Sequence, residues 1–335
     1  MIGKPFLIFP GQGAQYPGMA LDLLEQERSG KRIKDLFLLA SKIYGEDMAS
    51  VLAGCDPQAL KRTDISQPAI TLANLAAAAY LERKFLEKGI APAGCAGFSL
   101  GEYAALAIAG VITEEDCFSL VTQRGKIMQA AAEKIAAGGD APGMAAVTGL
   151  APQKVESLLN GWKADNPALT DIFAANINSP GQIVIAGTAK ALSQVEGLFT
   201  AAGAKRYLRL NVAGPFHSPL MAEAAQKFQP VLEKITFNDP KIPFYSNVSG
   251  KRVLSGEEAK KLALDHITSP VRWIDEEKSI ETAGGFNCLL EAGPGKVLQG
   301  LWKDFGSSAP CYAAGTAEDI NKLFADNEDG NDVGK

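Results

Sequence analysis

The sequence AGCAGFSLGEYAAL, residues 93–106, places a serine between a short strand and a helix. Small residues up to Gly97 predict a buried strand, and the alanine-rich run that starts at Gly101 predicts a helix. Gly-Phe-Ser-Leu-Gly between them has the pattern of a nucleophile elbow, whose glycines permit a cramped turn that exposes the serine hydroxyl. The pattern therefore favours an α/β fold with Ser99 as the nucleophile. The alternative is an ordinary tight turn.

A serine nucleophile needs a base within hydrogen-bond reach, and the chain contains only two histidines. His217 lies in NVAGPFHSPLM, a loop that contains glycine and proline. His266 ends the charged amphipathic segment EEAKKLALDHITSP. A histidine in the last helical turn is explained as a surface residue that complements the helix dipole. We therefore predict that His217 is the base.

Composition excludes several classes of protein. The 335 residues are 47% hydrophobic, which suffices for one large α/β domain or for a large and a small one. A net charge of −5 from well-mixed charges argues against a nucleic-acid partner. Five scattered cysteines without a Cys-x-x-Cys pair argue against a metal site or a disulfide framework. The apolar run Phe6 to Phe9 is too short for a signal peptide or a membrane span, so we expect a cytoplasmic protein without a membrane partner.

The order of predicted elements divides the chain into two domains. Residues 141–212 give the order β-α-β-β-α-β, which is that of the ferredoxin-like split unit. We expect this unit to be a small domain inserted into a discontinuous catalytic domain formed by residues 1–140 and 213–320. The acidic, polar tail at residues 324–335 is expected to be disordered.

Arg124 is the charged residue that demands an explanation. Thr113 and Asp116 resemble a capping box that opens a helix, and Arg124 falls inside the apolar face of that helix. A guanidinium there must be paired or desolvated at considerable cost. It is either a structural ion pair, or an arginine that reaches past the helix edge, or a fork that grips a ligand carboxylate. The sequence favours neither the structural nor the ligand interpretation.

The glycine-rich loop PGQGAQYPG after the first strand has two interpretations. Its Gly11-Gln-Gly13 start is similar to a dinucleotide-binding fingerprint, but Tyr16 occupies the position of the closing glycine. No clear βαβ unit with an acidic residue follows, so the dinucleotide interpretation fails. Such a loop can also turn backbone N–H groups toward a developing oxyanion, although nothing local requires this.

Several stretches together resemble one family. FPGQGAQYPGM, GFSLGEYAAL, QRGKIMQ, NINSPGQIVIAG, PFHSPLM and EAGPGKVL are similar, in this order from about residue 5 to 315, to the motifs of the malonyl-CoA:acyl-carrier-protein transacylase family. The acyltransferase domains of polyketide and fatty-acid synthases share these motifs. The resemblance implies an α/β-hydrolase-like large domain with an inserted ferredoxin-like small domain, in agreement with the pattern above.

The resemblance also implies roles for individual residues. Ser99 is then the nucleophile and His217 the general base and acid, while Arg124 holds the free carboxylate of malonate. The backbone amides of Gln12 and Leu100 form the oxyanion hole. Four further residues line the substrate site: Met128, Phe216, Asn176 and Asn178. The resemblance also implies that a backbone carbonyl, that of Arg272, orients the histidine.

Two positions bear on activity and selectivity. Phe98 stands where the family usually has histidine, which removes a polar ring beside the site and leaves its effect on the rate open. Phe216 resembles the form associated with malonyl rather than methylmalonyl selection. A bulky ring there crowds an α-methyl branch, and such steric differences give about 1–3 kcal/mol of discrimination.

The function implied is a ping-pong transfer of malonyl from malonyl-CoA to the phosphopantetheine thiol of holo acyl carrier protein, without a bound cofactor and as a monomer. The enzyme alternative is a serine esterase or thioesterase. In these enzymes the catalytic residues usually follow the chain order serine, acid, histidine, and an upstream His-Gly-Gly loop is present, which this sequence lacks. The alternative from another class is a scaffold that binds carrier protein without activity. Fatty-acid synthesis and a trans-acting polyketide pathway both remain open.

Overall fold

The computed structural model describes residues 2–27, 31–139 and 141–325. The predicted α/β class is confirmed, because helices and strands alternate along most of the chain. The last helix ends at Phe324, which packs against the core, so the predicted tail does not begin at residue 324. Residues 326–335 of that tail lie outside the described residues.

The strands form two separate sheets, one of six strands and one of four. In chain order they are β1 (Pro5–Phe9), β2 (Gly94–Gly97), β3 (Pro142–Thr148), β4 (Ile172–Ser179), β5 (Gln182–Thr188), β6 (Arg206–Leu210), β7 (Phe244–Ser246), β8 (Lys251–Val253), β9 (Cys288–Glu291) and β10 (Cys311–Ala313).

The helices cover the sheets and connect their strands. In chain order they are α1 (Leu21–Glu25), α2 (Arg32–Tyr44), α3 (Met48–Gly54), α4 (Thr63–Lys88), α5 (Gly101–Ile108), α6 (Glu114–Ala137), α7 (Pro152–Asp165), α8 (Ala189–Ala201), α9 (Ala222–Glu233), α10 (Gly256–Asp265), α11 (Trp273–Ala283), α12 (Val297–Phe305) and α13 (Ala317–Phe324). Within the described residues, no helix is long and apolar enough to cross a membrane.

The six-stranded sheet has the order β10-β9-β1-β2-β7-β8. Its pairs are parallel except for β7 with β8. Both β1 and β2 are buried along their whole length, as expected for central parallel strands with helices on both faces. The strand that leads to the serine elbow, β2, therefore lies between two hydrogen-bonded neighbours, which fixes the position of its carboxyl end.

The four-stranded sheet is antiparallel with the order β4-β5-β3-β6. It is built from the predicted β-α-β-β-α-β segment, with α7 and α8 as its two helices. These helices and one face of the sheet enclose a separate apolar cluster that includes Val147, Ile185 and Phe199. The segment therefore has a core of its own.

A short main-chain bridge joins the small sheet to the segment before α11. The N–H of Ile177 in β4 donates to the carbonyl of Val271 at 2.7 Å, and the N–H of Val271 donates to the carbonyl of Ala175 at 2.8 Å. Val271 lies directly before α11, which packs beneath the large sheet beside β7 and β8. This bridge fixes β4 against the large sheet and leaves a cleft between the two units.

A buried carboxyl on α11 makes stability depend on pH. Glu277 accepts the indole N–H of Trp273 at 2.8 Å, and desolvation by burial raises its pKa to about 9. In the unfolded chain this group ionises near 4.5. Between these values unfolding releases a proton, so the free energy of unfolding falls as pH rises, with a limit of about 1.4 kcal/mol per pH unit for one proton.

We predict that Glu277→Gln, which keeps the acceptor oxygen, reduces the decrease of the free energy of unfolding with rising pH. The variant should therefore gain stability relative to the unaltered protein from pH 6 to pH 8.5. Urea denaturation at several pH values measures this difference. The control is Glu281→Gln, an exposed position one turn further along α11, which should leave the slope unchanged. A constant difference between Glu277→Gln and the unaltered protein across this range would contradict the account.

Candidate active site

Ser99 lies at the turn between β2 and α5 with a φ of 51°, in the left-handed region. The two flanking glycines make this turn possible. A Cβ on Gly97 would lie 2.1 Å from the backbone of Gly101, and a Cβ on Gly101 would lie 2.0 Å from the carbonyl oxygen of Phe9. Strand, elbow and helix therefore pack backbone against backbone, which only glycine allows.

The serine and the predicted base are brought together. Ser99 Oγ lies 2.7 Å from His217 Nε2, and His217 Nδ1 lies 2.9 Å from the carbonyl oxygen of His266. A carbonyl can only accept, so Nδ1 carries the proton and Nε2 is left to accept from the serine hydroxyl. The pair has the geometry of an activated nucleophile.

The prediction that Arg272 orients the histidine is wrong. The Arg272 N–H donates to the carbonyl of Asn247, and its side chain pairs with Asp275. The orienting carbonyl belongs to His266, which caps the end of α10. Carbonyls in the last turn of a helix have no partner within the helix, so this one is available to a neighbouring side chain.

His266 is also not a surface residue, contrary to the expectation from its place at a helix end. It is completely buried, and its ring centroid lies 4.9 Å from that of His217 with an angle of 31° between the planes. Burial lowers its pKa well below the usual value, with smaller contributions from His217 and Arg124. The two imidazoles are therefore a neutral pair.

The environment of His217 keeps it in the form that accepts a proton. Burial, with a smaller contribution from the nearby charge of Arg124, lowers its pKa to about 3. At neutral pH the ring is therefore an unprotonated base. Like Ser99, His217 has a positive φ, 56°, so both members of the pair lie on strained backbone.

A cavity of about 100 Å³ opens in front of the pair, between the two sheets. A short acyl chain fits a cavity of this size. Seven of the predicted site residues line it: Gln12, Ser99, Arg124, Met128, Asn176, Phe216 and His217. Phe98 also lines it, and its ring packs edge-on against Trp273 at 5.5 Å.

Asn178 does not line the cavity, although it is buried. It lies two residues beyond Asn176 on β4, and a strand advances about 6–7 Å over that distance. Its side chain therefore lies past the cavity wall that Asn176 forms. Of the two asparagines predicted to bind the substrate, Asn176 lines the cavity and Asn178 does not.

Arg124 is only 1% exposed on α6, and its Nε and Nη2 have no hydrogen-bond partner among the described residues. No carboxylate in this part of the chain forms an ion pair with it, and its guanidinium carbon lies 5.4 Å from the ring centre of Tyr103. Burial lowers its pKa. A structural ion pair and an arginine that reaches solvent are both inconsistent with these observations. What remains is a cation with unused donors that faces the cavity, which suits a carboxylate ligand.

The two predicted oxyanion donors also lie close to the serine. Leu100 directly precedes the first turn of α5. Gln12 follows Gly11, and a Cβ added to Gly11 would lie 3.3 Å from the backbone nitrogen of Leu100, so the two segments are close together. Neither backbone N–H donates to an acceptor within the described residues. The Gln12 side chain is held separately by the hydroxyl of Ser66 at 3.1 Å. Their role as an oxyanion hole stays a prediction.

Sequence reasoning missed a polar cluster behind the elbow. It consists of Asn247, Glu102 and Glu276, which are completely or almost completely buried, and Asn247 donates a hydrogen bond to each of the two carboxyls. Glu102 lies in the sequence motif of the elbow itself, but no spacing rule connects it to residues some 145 positions later. Only the folded chain reveals the cluster.

The chain is similar to proteins of one family along most of its length. A profile of the acyl transferase domain matches residues 6–323. The chain is 35% identical over 333 residues to the malonyl CoA-acyl carrier protein transacylase of Bacillus subtilis (strain 168), covering 99% of each protein.

Two solved structures have the same fold. The malonyl CoA-acyl carrier protein transacylase of Coxiella burnetii matches with a TM-score of 0.86 and 30% identity over 96% of this chain and 98% of that one. A complex of a type II PKS acyl-carrier protein with its malonyl-transacylase matches with a TM-score of 0.85 and 34% identity, over 96% and 99% of the two chains.

The lowered pKa of His217 predicts how the reactivity of Ser99 depends on pH. Because the base stays neutral down to about pH 3, the rate of Ser99 modification by phenylmethylsulfonyl fluoride should change less than about threefold between pH 8 and pH 5. A histidine with an ordinary pKa of about 6.5 would lose about 30-fold over the same range. Mass spectrometry of the labelled protein measures the rate, and a midpoint near pH 6.5 would contradict the assignment.

The packing of the elbow predicts a large effect from a single methyl group. Gly101→Ala should cost about 1–3 kcal/mol of stability, because its Cβ meets the rigid backbone of Phe9. It should also slow Ser99 labelling by about 10²-fold or more, since the hydroxyl is displaced. The matched control is Gly197→Ala in α8, where an added Cβ meets nothing within 4 Å and should stabilise the helix. Unchanged labelling in Gly101→Ala would refute this account of the turn.

Proposed function

Because this chain belongs to the acyl transferase family, we propose that it transfers a malonyl group from malonyl-CoA to the phosphopantetheine thiol of holo acyl carrier protein. The product is the extender unit for fatty-acid synthesis. The relatives named above carry this activity in their names, and one solved relative is held in a complex with an acyl-carrier protein. No permanently bound cofactor is required, because the malonyl group arrives already activated as a thioester.

The observation that carries this proposal is the buried guanidinium of Arg124 beside Ser99, whose Nε and Nη2 have no hydrogen-bond partner among the residues that the structure describes. A cation kept out of water without a partner is costly. The free carboxylate of a malonyl group removes this cost, because it accepts from Nε and Nη2 together in the bidentate geometry that arginine favours. An acetyl group offers no such partner.

The first half-reaction loads the enzyme. His217 Nε2 takes the proton of the Ser99 hydroxyl, and Oγ attacks the thioester carbonyl of malonyl-CoA. The oxyanion that forms is stabilised by the backbone N–H groups of Gln12 and Leu100. The tetrahedral intermediate collapses, the C–S bond breaks, and His217 returns the proton to the thiolate of coenzyme A. Malonyl-Ser99 remains, with its carboxylate on Arg124.

The second half-reaction uses the same residues in reverse. His217 takes the proton of the phosphopantetheine thiol, the thiolate attacks the ester carbonyl, and the Ser99 oxygen leaves with the proton that His217 returns. Water is the competing nucleophile, as it would be in an esterase. The proposal favours the carrier thiol because the relatives are named as transacylases.

The proposal includes the fold type of each of the two units of the chain. We class the large unit, residues 1–140 and 213–320, as α/β-hydrolase-like, and the unit of residues 141–212 as ferredoxin-like. The strand order β4-β5-β3-β6 with α7 and α8 supports the second assignment. We place the enzyme in the cytoplasm as a monomer whose partners are coenzyme A thioesters and holo acyl carrier protein. Phe216 against the cavity supports malonyl over methylmalonyl.

Intact mass spectrometry with malonyl-CoA and then holo acyl carrier protein tests the function. The unaltered protein should gain one malonyl group that moves to the carrier, and Ser99→Ala should gain none. Arg124→Ala should lower kcat/KM for malonyl-CoA by about 10²-fold relative to acetyl-CoA, because two charge-assisted hydrogen bonds are lost. Arg272→Ala is the control, since that side chain is partly exposed and forms its ion pair with Asp275.

An adduct that decays to free malonate in the presence of holo carrier protein would make the protein a hydrolase. Carrier binding without any adduct would make it a scaffold. If Arg124→Ala lowers kcat/KM equally for malonyl-CoA and acetyl-CoA, the guanidinium does not select the substrate.

A further inference from the structure

A buried asparagine that the proposed mechanism does not use lies directly behind the serine elbow. Asn247 follows β7, which pairs in parallel with the nucleophile strand β2, so both segments leave the sheet at the same edge. Its side chain is completely shielded from solvent. It is not one of the residues that line the cavity, so it does not touch the substrate.

The Asn247 amide holds the backbone of the elbow at two points. Its Oδ1 accepts the N–H of Ser99 at 2.5 Å, and its Nδ2 donates to the carbonyl of Gly97 at 2.6 Å. A backbone N–H can only donate and a carbonyl can only accept, so these contacts fix which end of the amide is which. No other acceptor within the described residues takes the Ser99 N–H.

The asparagine is itself held on three sides. Its Nδ2 also donates to Glu276 of α11 at 2.8 Å, its backbone N–H donates to Glu102 of α5 at 2.8 Å, and its carbonyl accepts from the Arg272 N–H at 2.8 Å. The chain therefore presents this amide to the elbow in one fixed orientation. A group held in this way pre-organises the residue that it contacts.

We propose that Asn247 is a positioning residue for acyl transfer, whose amide holds Ser99 in the left-handed conformation that aims Oγ at His217. The inference rests on the proposed function for its kinetic consequence. A non-glycine residue at positive φ returns to a relaxed conformation unless its surroundings prevent it. The clamp on the Ser99 N–H and the Gly97 carbonyl prevents rotation of the peptide units around Phe98. The same constraint sets the direction of the Leu100 N–H, which follows Ser99 in the chain.

Asparagine is the side chain that fits this position, because it must accept at one end and donate at the other. An aspartate has the same shape, but when ionised it offers acceptors at both ends and repels the Gly97 carbonyl. When protonated it provides one acceptor and one O–H donor, which can serve the Gly97 carbonyl but not Glu276 at the same time. The titratable groups around it are Glu102 on α5 and Glu276 on α11, both with pKa values raised by burial, and Arg124 on α6, which acts on Glu102. An aspartate among these carboxyls keeps its proton well above its usual pKa.

The experiment compares Asn247→Asp, Asn247→Ala and the control Asn238→Ala. Asn238 also donates to a backbone carbonyl, that of Val111, but away from the elbow. Rapid-quench mass spectrometry gives the acylation rate constant at saturating malonyl-CoA and the concentration at half-maximal rate. Phenylmethylsulfonyl fluoride labelling of Ser99 gives a second rate that does not depend on the acyl donor. Both are measured from pH 5 to pH 9 and expressed per folded molecule, with thermal unfolding as the check.

We expect Asn247→Ala to lower both rate constants by about 10²-fold, with little change in half-saturation, because Arg124 and the cavity are untouched. This loss should not depend on pH. Asn247→Asp should be as slow at pH 9 and should recover toward the unaltered protein as pH falls to 5, where the aspartate is protonated. His217, with its pKa lowered to about 3, remains a base over this range. Asn238→Ala should lose stability only.

Rates within about threefold of the unaltered protein in Asn247→Ala would overturn the proposal. So would a loss that disappears after correction for the folded fraction, or an Asp variant without recovery at low pH. If the unaltered protein forms no malonyl-serine, the proposed function fails instead, and the sulfonyl fluoride rates still decide the role of Asn247.

Discussion

The backbone contact between the serine elbow and its two neighbouring strands is the constraint on which the site depends. Gly97 and Gly101 bring β2, α5 and the end of β1 closer together than any side chain would allow. Ser99 is thereby held in a conformation that a serine rarely adopts. The position of its hydroxyl, 2.7 Å from His217, follows from the packing of strands that are themselves buried on both faces.

A second constraint is electrostatic, and it combines burial with the charge of Arg124. Arg124 is buried beside the cavity with no hydrogen-bond partner for Nε or Nη2 in the part of the chain that the structure describes, and its charge adds to burial in lowering the pKa of His217. Burial, assisted by this charge, keeps the base neutral, and the Nε and Nη2 donors of the guanidinium suit an anionic acyl group. Both features are costly to the free protein, and both are typical of a site that is completed by its substrate.

The sequence predicted the elements of the site better than their connections. Glycine spacing identified Ser99, the capping pattern at Thr113 gave the start of α6, and the β-α-β-β-α-β order was found in the second sheet. Local rules suffice for such features, because the residues involved are neighbours in the chain. The same rules placed His266 on the surface, since a helix end is usually exposed, whereas here it is buried against His217.

Features that depend on contacts between distant segments were not predictable in this way. The orienting carbonyl lies 49 positions from His217, and Asn247 lies 148 positions from Ser99. No periodicity or motif links such pairs. Arg124 is an intermediate case, because its place in an apolar helix face was clear from the sequence. The absence of a paired carboxylate among the described residues argues against a structural ion pair, and the role of Arg124 as a carboxylate ligand stays a proposal.

The most direct test of the central claim, that Arg124 selects the acyl group by its carboxylate, is a crystal structure of the malonyl-Ser99 form. This form is trapped by soaking malonyl-CoA into crystals without carrier protein. The account predicts that both carboxylate oxygens lie within about 3 Å of Arg124 Nε and Nη2. The carbonyl oxygen of the ester should accept hydrogen bonds from the backbone N–H groups of Gln12 and Leu100. A carboxylate directed toward solvent, with the guanidinium still unpaired, would contradict it.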